Sequence, residues 1–368
     1  MATLTAVYCD GWDEAVINPL DRDVAEGRHA AGEPYSVVLV VGGRPHAVLD
    51  VALGAEYLGL TRFDGFGGRA SRHQWRVAAE GDLFLREARS WRPTTRTTVT
   101  FELNGRRTDL VERENSREQH YTPDSPPPRT PVPVFGQWQA LLEFAGDGRP
   151  DIADASGHLL PVREGTRPWQ PPRPMGPRRI EELFTDGTER PVRDRTMRIS
   201  TQAAGPLHLP SGRLVAADPS SLDHGEDPFT VTVAPGTCPV TISLATFTDD
   251  PGHRRVAAAR LQVVDSPTVT WELALRTGQD QLDLGDGEFF GFGVDGGMGC
   301  FVDEDNRERL AEEWERFDFD RFTTLPGGDM VAWSSGWGDG VYPTWIGRDA
   351  SGAVTCFVAD MLLFGTKA

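Results

Sequence analysis

The chain has 368 residues, of which 39% are hydrophobic and 25% charged, with a formal net charge of −18. That length suits two cores of roughly 150 residues each, and the composition excludes a disordered or membrane-embedded chain. The acidic balance argues against nucleic acid and anionic membranes as partners, and Lys367, the only lysine, excludes a P-loop or an interior Schiff base.

In chain order, Met1-Ala2-Thr3-Leu4 does not open a secretory signal, so the expected compartment is the cytoplasm. Residues 36–41 and 46–51 flank Gly42-Gly43 and predict two strands about a tight turn. The stretch Arg62-Phe-Asp-Gly-Phe-Gly-Gly-Arg69 is glycine-rich, but it lacks the strand–helix setting and acidic partner of a dinucleotide fingerprint. Residues 97–103 and 107–111 alternate about Asn104-Gly105, the strongest short hairpin signal, because both turn positions favour positive φ. Prolines crowd residues 123–133 and 161–177; proline fixes φ and removes a donor, so both stretches read as extended connectors. Between them, residues 137–144 and 157–163 are candidate strands. The expected plan is a β-rich N-terminal domain over 1–160, a proline-rich linker over 161–194 and a C-terminal domain over 195–368.

Beyond the linker, residues 229–236, 239–247, 256–264 and 269–275 are strand candidates rich in β-branched residues. Their short spacing, with turn signals between, predicts a β-sandwich or open barrel, so the fold class is mainly β. Leu310, Trp314 and Phe317 recur at helical spacing and predict one amphipathic helix over 305–317, with Asp305 and Glu308 placed as a capping box. Strands resume at 330–334, 341–346 and 354–362.

Two segments interleave glycine, aromatics and isolated carboxylates: Gly285-Asp-Gly-Glu-Phe-Phe-Gly-Phe-Gly-Val-Asp-Gly-Gly-Met-Gly-Cys-Phe-Val-Asp303 and Trp333-Ser-Ser-Gly-Trp-Gly-Asp-Gly-Val-Tyr-Pro-Thr-Trp345. Glycine allows close backbone approach, so these segments are expected to form tight bends or a contact surface. Leu209-Pro-Ser-Gly-Arg-Leu-Val-Ala-Ala-Asp-Pro219, Arg255-Val-Ala-Ala-Ala-Arg260, Gly291 to Asp303 and Ser335-Gly-Trp-Gly-Asp-Gly-Val-Tyr-Pro343 carry a resemblance. Over about residues 209–363 the chain resembles an uncharacterised bacterial family, domain of unknown function 4241. The resemblance implies a kinship without a mechanism, and the N-terminal half resembles no known family.

Trp333, Trp337, Tyr342 and Trp345, with Asp339, are the candidate binding residues, as a platform for a sugar, peptide or base. Asp295, Asp303 and Asp339 are candidate ligands for Mg²⁺ or Ca²⁺, since hard cations take several carboxylate oxygens. Asp303 could instead cap the following helix, and Asp339 could form an Asx-turn. Cys300 would need a distant base such as His208, His224 or His253 to act as a nucleophile, and a buried structural thiol is the simpler reading. Ser335-Gly-Trp-Gly is no nucleophile elbow. The four cysteines, Cys9, Cys238, Cys300 and Cys356, form no C-x-x-C pair and read as reduced, buried thiols.

The leading expectation is a non-enzymatic interaction protein, immunity- or inhibitor-like, with no cofactor. Its acidic C-terminal face would meet a basic protein partner: residues 281–368 hold 17 Asp/Glu against 6 Lys/Arg, a net of −11. The alternatives are a divalent-cation-assisted hydrolase using the three aspartates, and a small-ligand or carbohydrate module built on the tryptophans.

Overall fold

Strands dominate, at 49% against 13% helix, and the mainly β fold includes a curled half-barrel sheet. The computed structural model describes residues 3–155, 157, 160–165, 169–224, 226–314 and 321–365. The chain divides into two units, Met1–Pro172 and Arg173–Ala368. Among the described residues, no helix is long and apolar enough to cross a membrane.

The first unit is a long antiparallel meander. It begins with β1 (Leu4–Trp12) and β2 (Val16–Pro19), then helix α1 (Arg22–Ala31). There follow β3 (Tyr35–Val41), β4 (Arg44–Ala52), β5 (Tyr57–Phe63), β6 (Arg69–Val77) and β7 (Asp82–Arg92). The run closes with β8 (Thr95–Phe101), β9 (Arg107–Arg113), β10 (Ser116–Thr122), β11 (Arg129–Pro131), helix α2 (Gln139–Phe144), β12 (Ile152–Asp154) and β13 (Val162–Arg163). The strands lie in the order β10-β9-β8-β7-β6-β5-β4-β3-β1-β2-β13, with β11 beside β7 and β12 beside β1.

The run Val37 to Val41 is almost wholly apolar because β3 sits between β1 and β4 with both faces covered. Gly42 and Gly43, at φ 56° and 74°, turn that hairpin as predicted. Residues 137–144, expected as a strand, instead contain α2: Trp138, Leu141 and Leu142 stand at helical spacing and are fully buried against the sheet. Helix α1 escaped prediction because it buries only Ala25, so its sequence carries no apolar stripe.

The second unit stacks two sheets. It opens with α3 (Ile180–Leu183), β14 (Glu189–Val192), β15 (Arg195–Leu209), β16 (Leu214–Ala217), β17 (Gly236–Phe247), β18 (Asp250–Gln262) and β19 (Thr270–Leu273). Then come β20 (Phe292–Val294), β21 (Met298–Asp303), α4 (Arg307–Glu313), β22 (Phe322–Thr324) and β23 (Met330–Ser334). The last strands are β24 (Gly340–Tyr342), β25 (Thr344–Arg348) and β26 (Val354–Asp360). A seven-stranded sheet, β14-β15-β17-β18-β26-β25-β19, accompanies a four-stranded one, β16-β21-β23-β22, and a ribbon, β20-β24. Side chains from all three, including Ile242, Phe357, Phe301, Trp333 and Phe292, form one core cluster. The four-stranded sheet turns Cys300, Val302 and Ala332 to its other side, where they join Leu310 of α4.

Three local expectations need correction. Residues 229–236 are not a strand: Phe229, Thr230 and Val233 donate to Leu214, Leu275 and Gly212 in turn, so the segment has no continuous partner. Pro343, without an N–H, splits the predicted strand 341–346 between the ribbon and the large sheet. Asp305 does not cap the helix; Asp303 does so for the preceding turn by accepting from Asp305 N at 3.0 Å, while Asp305 pairs with Arg213 at 2.9 Å. Residues 315–317 of the predicted helix, residues 158 and 159 of a predicted strand, and Lys367 lie outside the described residues.

Candidate functional site

The two glycine-rich segments meet, although some forty positions separate them. Phe292 pairs with Tyr342 and Val294 with Gly340 across the ribbon, while Gly299 faces Trp333 between β21 and β23. Glycine is required where the backbones crowd: a Cβ on Gly291 would lie 2.5 Å from the Tyr342 carbonyl oxygen. The bend between β20 and β21 is held by Asp218, which is fully buried after β16. Its Oδ2 accepts from Asp295 N at 3.0 Å and Gly296 N at 2.6 Å, and its Oδ1 from Ser220 N at 2.9 Å and Ser220 Oγ at 2.8 Å. Four donors on one carboxylate offset the cost of burying its charge.

The aromatic candidates divide. Trp333 and Trp345 are fully buried, and Tyr342 is buried with its hydroxyl donating to Gly338 O at 2.7 Å. Trp337 stands on the surface at 46% exposure. Its Nε1 donates to Leu363 O at 3.2 Å, the Arg255 guanidinium lies 5.4 Å from its ring centroid, and His253 meets it edge-on at 6.5 Å. Three rings therefore fill the interior, and one is presented outward in a held orientation.

The comparisons bear on this unit. Residues 207–359 match the family model described as "Protein of unknown function (DUF4241)". No curated protein and no solved structure matches the chain. The DUF4241 match takes in Asp218, both glycine-rich segments and all four aromatic candidates, and the N-terminal half has no family match.

Within the DUF4241 segment the carboxylate candidates also divide. Asp295 and Asp339 are exposed and lie just beyond the Val294–Gly340 pair, at one end of the ribbon. Asp303 is fully buried: Oδ1 accepts from Ser211 Oγ at 2.8 Å and Asp305 N, and Oδ2 from Ser211 N at 3.1 Å. It lies at the far end of β21, five residues past Met298 and so about 16 Å along the strand. The structure thus brings two of the three together and gives the third a structural role. No three His, Cys, Asp or Glu side chains among the described residues are grouped to hold a metal ion.

Cys300 is fully buried, and desolvation, reinforced by the Asp218 charge, pushes its thiol well above the ordinary value, the reverse of what a nucleophile needs. Ser335 Oγ donates to Gly338 O at 2.8 Å within a tight turn. All four cysteines are free and buried. In the acidic run 223–227, Glu226 pairs with the buried Arg276, and residue 225 lies outside the described residues.

Sequence reading missed a cleft of about 680 Å³ at the end of β26, lined by Arg178, Arg179, Glu182, Arg190, Asp360 and Phe364 among others. Burial raises Asp360 to about 6, although Leu362 N donates to it at 2.9 Å. Arg179 and Leu362, both on its wall, hold left-handed backbone at φ 48° and 47°, which is costly for side-chain-bearing residues. The charges of Arg190 and Glu182 are paired with each other. Arg178-Arg179 is a short basic pair in the sequence, and no local pattern links it to Asp360, 181 positions beyond Arg179.

Proposed function

We propose that the DUF4241 segment is a non-enzymatic binding module that docks a basic protein partner through the ribbon β20-β24 and the turn before it. One observation carries this reading: Trp337 is exposed yet held in orientation by Leu363, Arg255 and His253. A tryptophan already ordered before binding loses little side-chain freedom on docking, which is why such residues dominate interface energetics. Val341, 53% exposed on β24, is an exposed apolar residue of the ribbon itself. Asp295 and Asp339 are exposed at the end of that ribbon, and neither forms an ion pair among the described residues, so both are available to a cationic partner. The excess negative charge of residues 281–368 would steer such a partner inward. An immunity- or inhibitor-like protein that neutralises a basic protein fits these features.

The test is site-directed photo-crosslinking in the source cell with a photoreactive amino acid at position 337, against a control at position 121. A discrete adduct with a basic protein at 337 alone, whose affinity for the purified chain falls as salt rises, is the expected result. Identical adduct patterns at both positions, or an affinity indifferent to salt, would overturn the proposal.

A further inference from the structure

The long sheet of the first unit has two unlike faces. One carries Tyr8, Val37, Leu49, Leu60 and Trp75 and is packed beneath Phe135, Trp138 and α2. On the other, cross-strand pairing aligns Ser36, Asp50, Gly59, Gln74 and Glu87 in one row and Val48, Thr61, Arg72 and Arg89 in the next. Most of these polar groups satisfy one another. Tyr57 folds over side-chain-free Gly59, its hydroxyl 3.3 Å from both Gln74 Oε1 and Arg72 Nη2. Gln74 Nε2 donates to Glu87 Oε1 at 2.7 Å, and Arg89 pairs with Glu87 at 3.1 Å.

Arg89 Nε, Arg72 Nε and one oxygen of Asp50 are left without partners among the described residues, and the last two groups share one cleft. Asp50 accepts from Ser36 Oγ at 2.7 Å through Oδ1, and its second oxygen has no hydrogen bond among the described residues. Arg72 Nε is buried with no partner. The two are close enough to influence each other's protonation, yet no ion pair joins them. Both are half-buried, and opposite charges partly withdrawn from water without meeting are incompletely compensated, so a group bridging them would stabilise both. They line a cleft of about 510 Å³ with Trp12, Phe63 and Trp169, and three further charges stand on its wall: Glu14, Arg69 and Asp13, the last paired with Arg163. That volume lies within the range of small-molecule sites, about 300–1,000 Å³, and the lining is more polar than is usual for them, with three aromatic walls among five charged side chains. Trp169 is a fixed wall: its backbone N–H donates to Asp10 O at 3.1 Å, its Cβ packs 3.1 Å from where a Gly11 side chain would begin, and its ring lies 5.6 Å from that of Tyr57.

The geometry points to a small-molecule site in this cleft, taking a zwitterionic aromatic molecule of the amino-acid type: Asp50 accepts from its ammonium, Arg72 donates to its carboxylate, and its ring contacts the tryptophan walls. The site belongs to the first unit and is independent of the partner surface around Trp337.

Isothermal titration calorimetry on the full chain tests it with three probes: phenylalanine, phenethylamine, which lacks the carboxylate, and 3-phenylpropanoate, which lacks the ammonium. Phenylalanine is expected to bind with a Kd below about 1 mM, and each truncated probe at least about tenfold more weakly. D50N should remove the preference for phenylalanine over 3-phenylpropanoate, and R72M the preference over phenethylamine. T61W, which fills the cleft while sparing both charges, should abolish binding and leave the melting temperature in place. Failure of phenylalanine to bind the folded chain, equal binding of all three probes, or a D50N protein that keeps the wild-type preference would each overturn the assignment.

Discussion

Asp218 in the second unit and Asp50 in the first are both carboxylates drawn in among protein groups, and they serve opposite ends. Asp218 meets four donors, three of them backbone N–H groups, and has no capacity left for a ligand. Asp50 meets one hydroxyl, and burial raises its pKa, with the Ser36 hydrogen bond and the Arg72 charge only partly opposing. A carboxylate saturated by backbone donors pins a loop, whereas one left short on a cleft wall is free to accept from a ligand. The same contrast separates Asp303, a cap, from Asp295 and Asp339 at the open end of the ribbon.

The sharpest way to break this comparison is to remove groups from both classes and compare stability with binding. Trp333→Ala should have the largest effect, about 3–5 kcal/mol off the urea unfolding free energy, because it empties the core behind the ribbon. Asp218→Ala comes next, at about 3 kcal/mol, since the Asp295, Gly296 and Ser220 amides lose their acceptor together; a loss below about 1 kcal/mol would mean that the bend holds itself. Asp360→Asn should stabilise the protein, and the sign follows from its proton affinity. Its folded-state value of about 6 lies above the ordinary 3.8, so the folded chain holds this proton more tightly than the unfolded chain. Ionisation therefore costs stability progressively from about pH 4 to pH 6. The variant should match the wild type near pH 4 and exceed it by up to about 3 kcal/mol at pH 7, by thermal unfolding across pH. A difference that does not change with pH would remove the argument for a desolvated acid. Trp337→Ala should change stability least, by under about 1 kcal/mol, while abolishing the partner adduct's affinity. If Trp337→Ala destabilises the fold as much as Trp333→Ala, the exposed ring is structural and the contrast collapses.

Much of the strand pattern was legible because it follows from short-range chemistry. The Gly42-Gly43 turn, the 330–334 strand and the one-sided helix around Leu310 all follow from spacing and turn residues. Other elements were hidden for physical reasons. Helix α1 buries a single alanine and has no stripe to detect, and residues 229–236 look like a strand but find three different acceptors in succession. Among the site candidates, residue type did not separate Trp337 from Trp333 or Trp345; what did so is that Trp337 stands in the turn between β23 and β24, whereas Trp333 and Trp345 sit on strands and face the interior. Asp218 stood in a recognisable motif, yet its contact with a loop 77 positions away has no local signal.

What the amino-acid sequence determined by itself was the class of the protein: a mainly β chain, strongly acidic, whose residues 207–359 match the DUF4241 family model. Those features follow from composition, alternation and turn residues, which act over a few neighbours. The tertiary structure alone decided which carboxylates are saturated and which are open, which indoles are interior, and that Asp50 and Arg72, 22 positions apart in the chain, share one cleft. Burial and hydrogen-bond capacity depend on what the rest of the chain places against a side chain, and no local pattern encodes that.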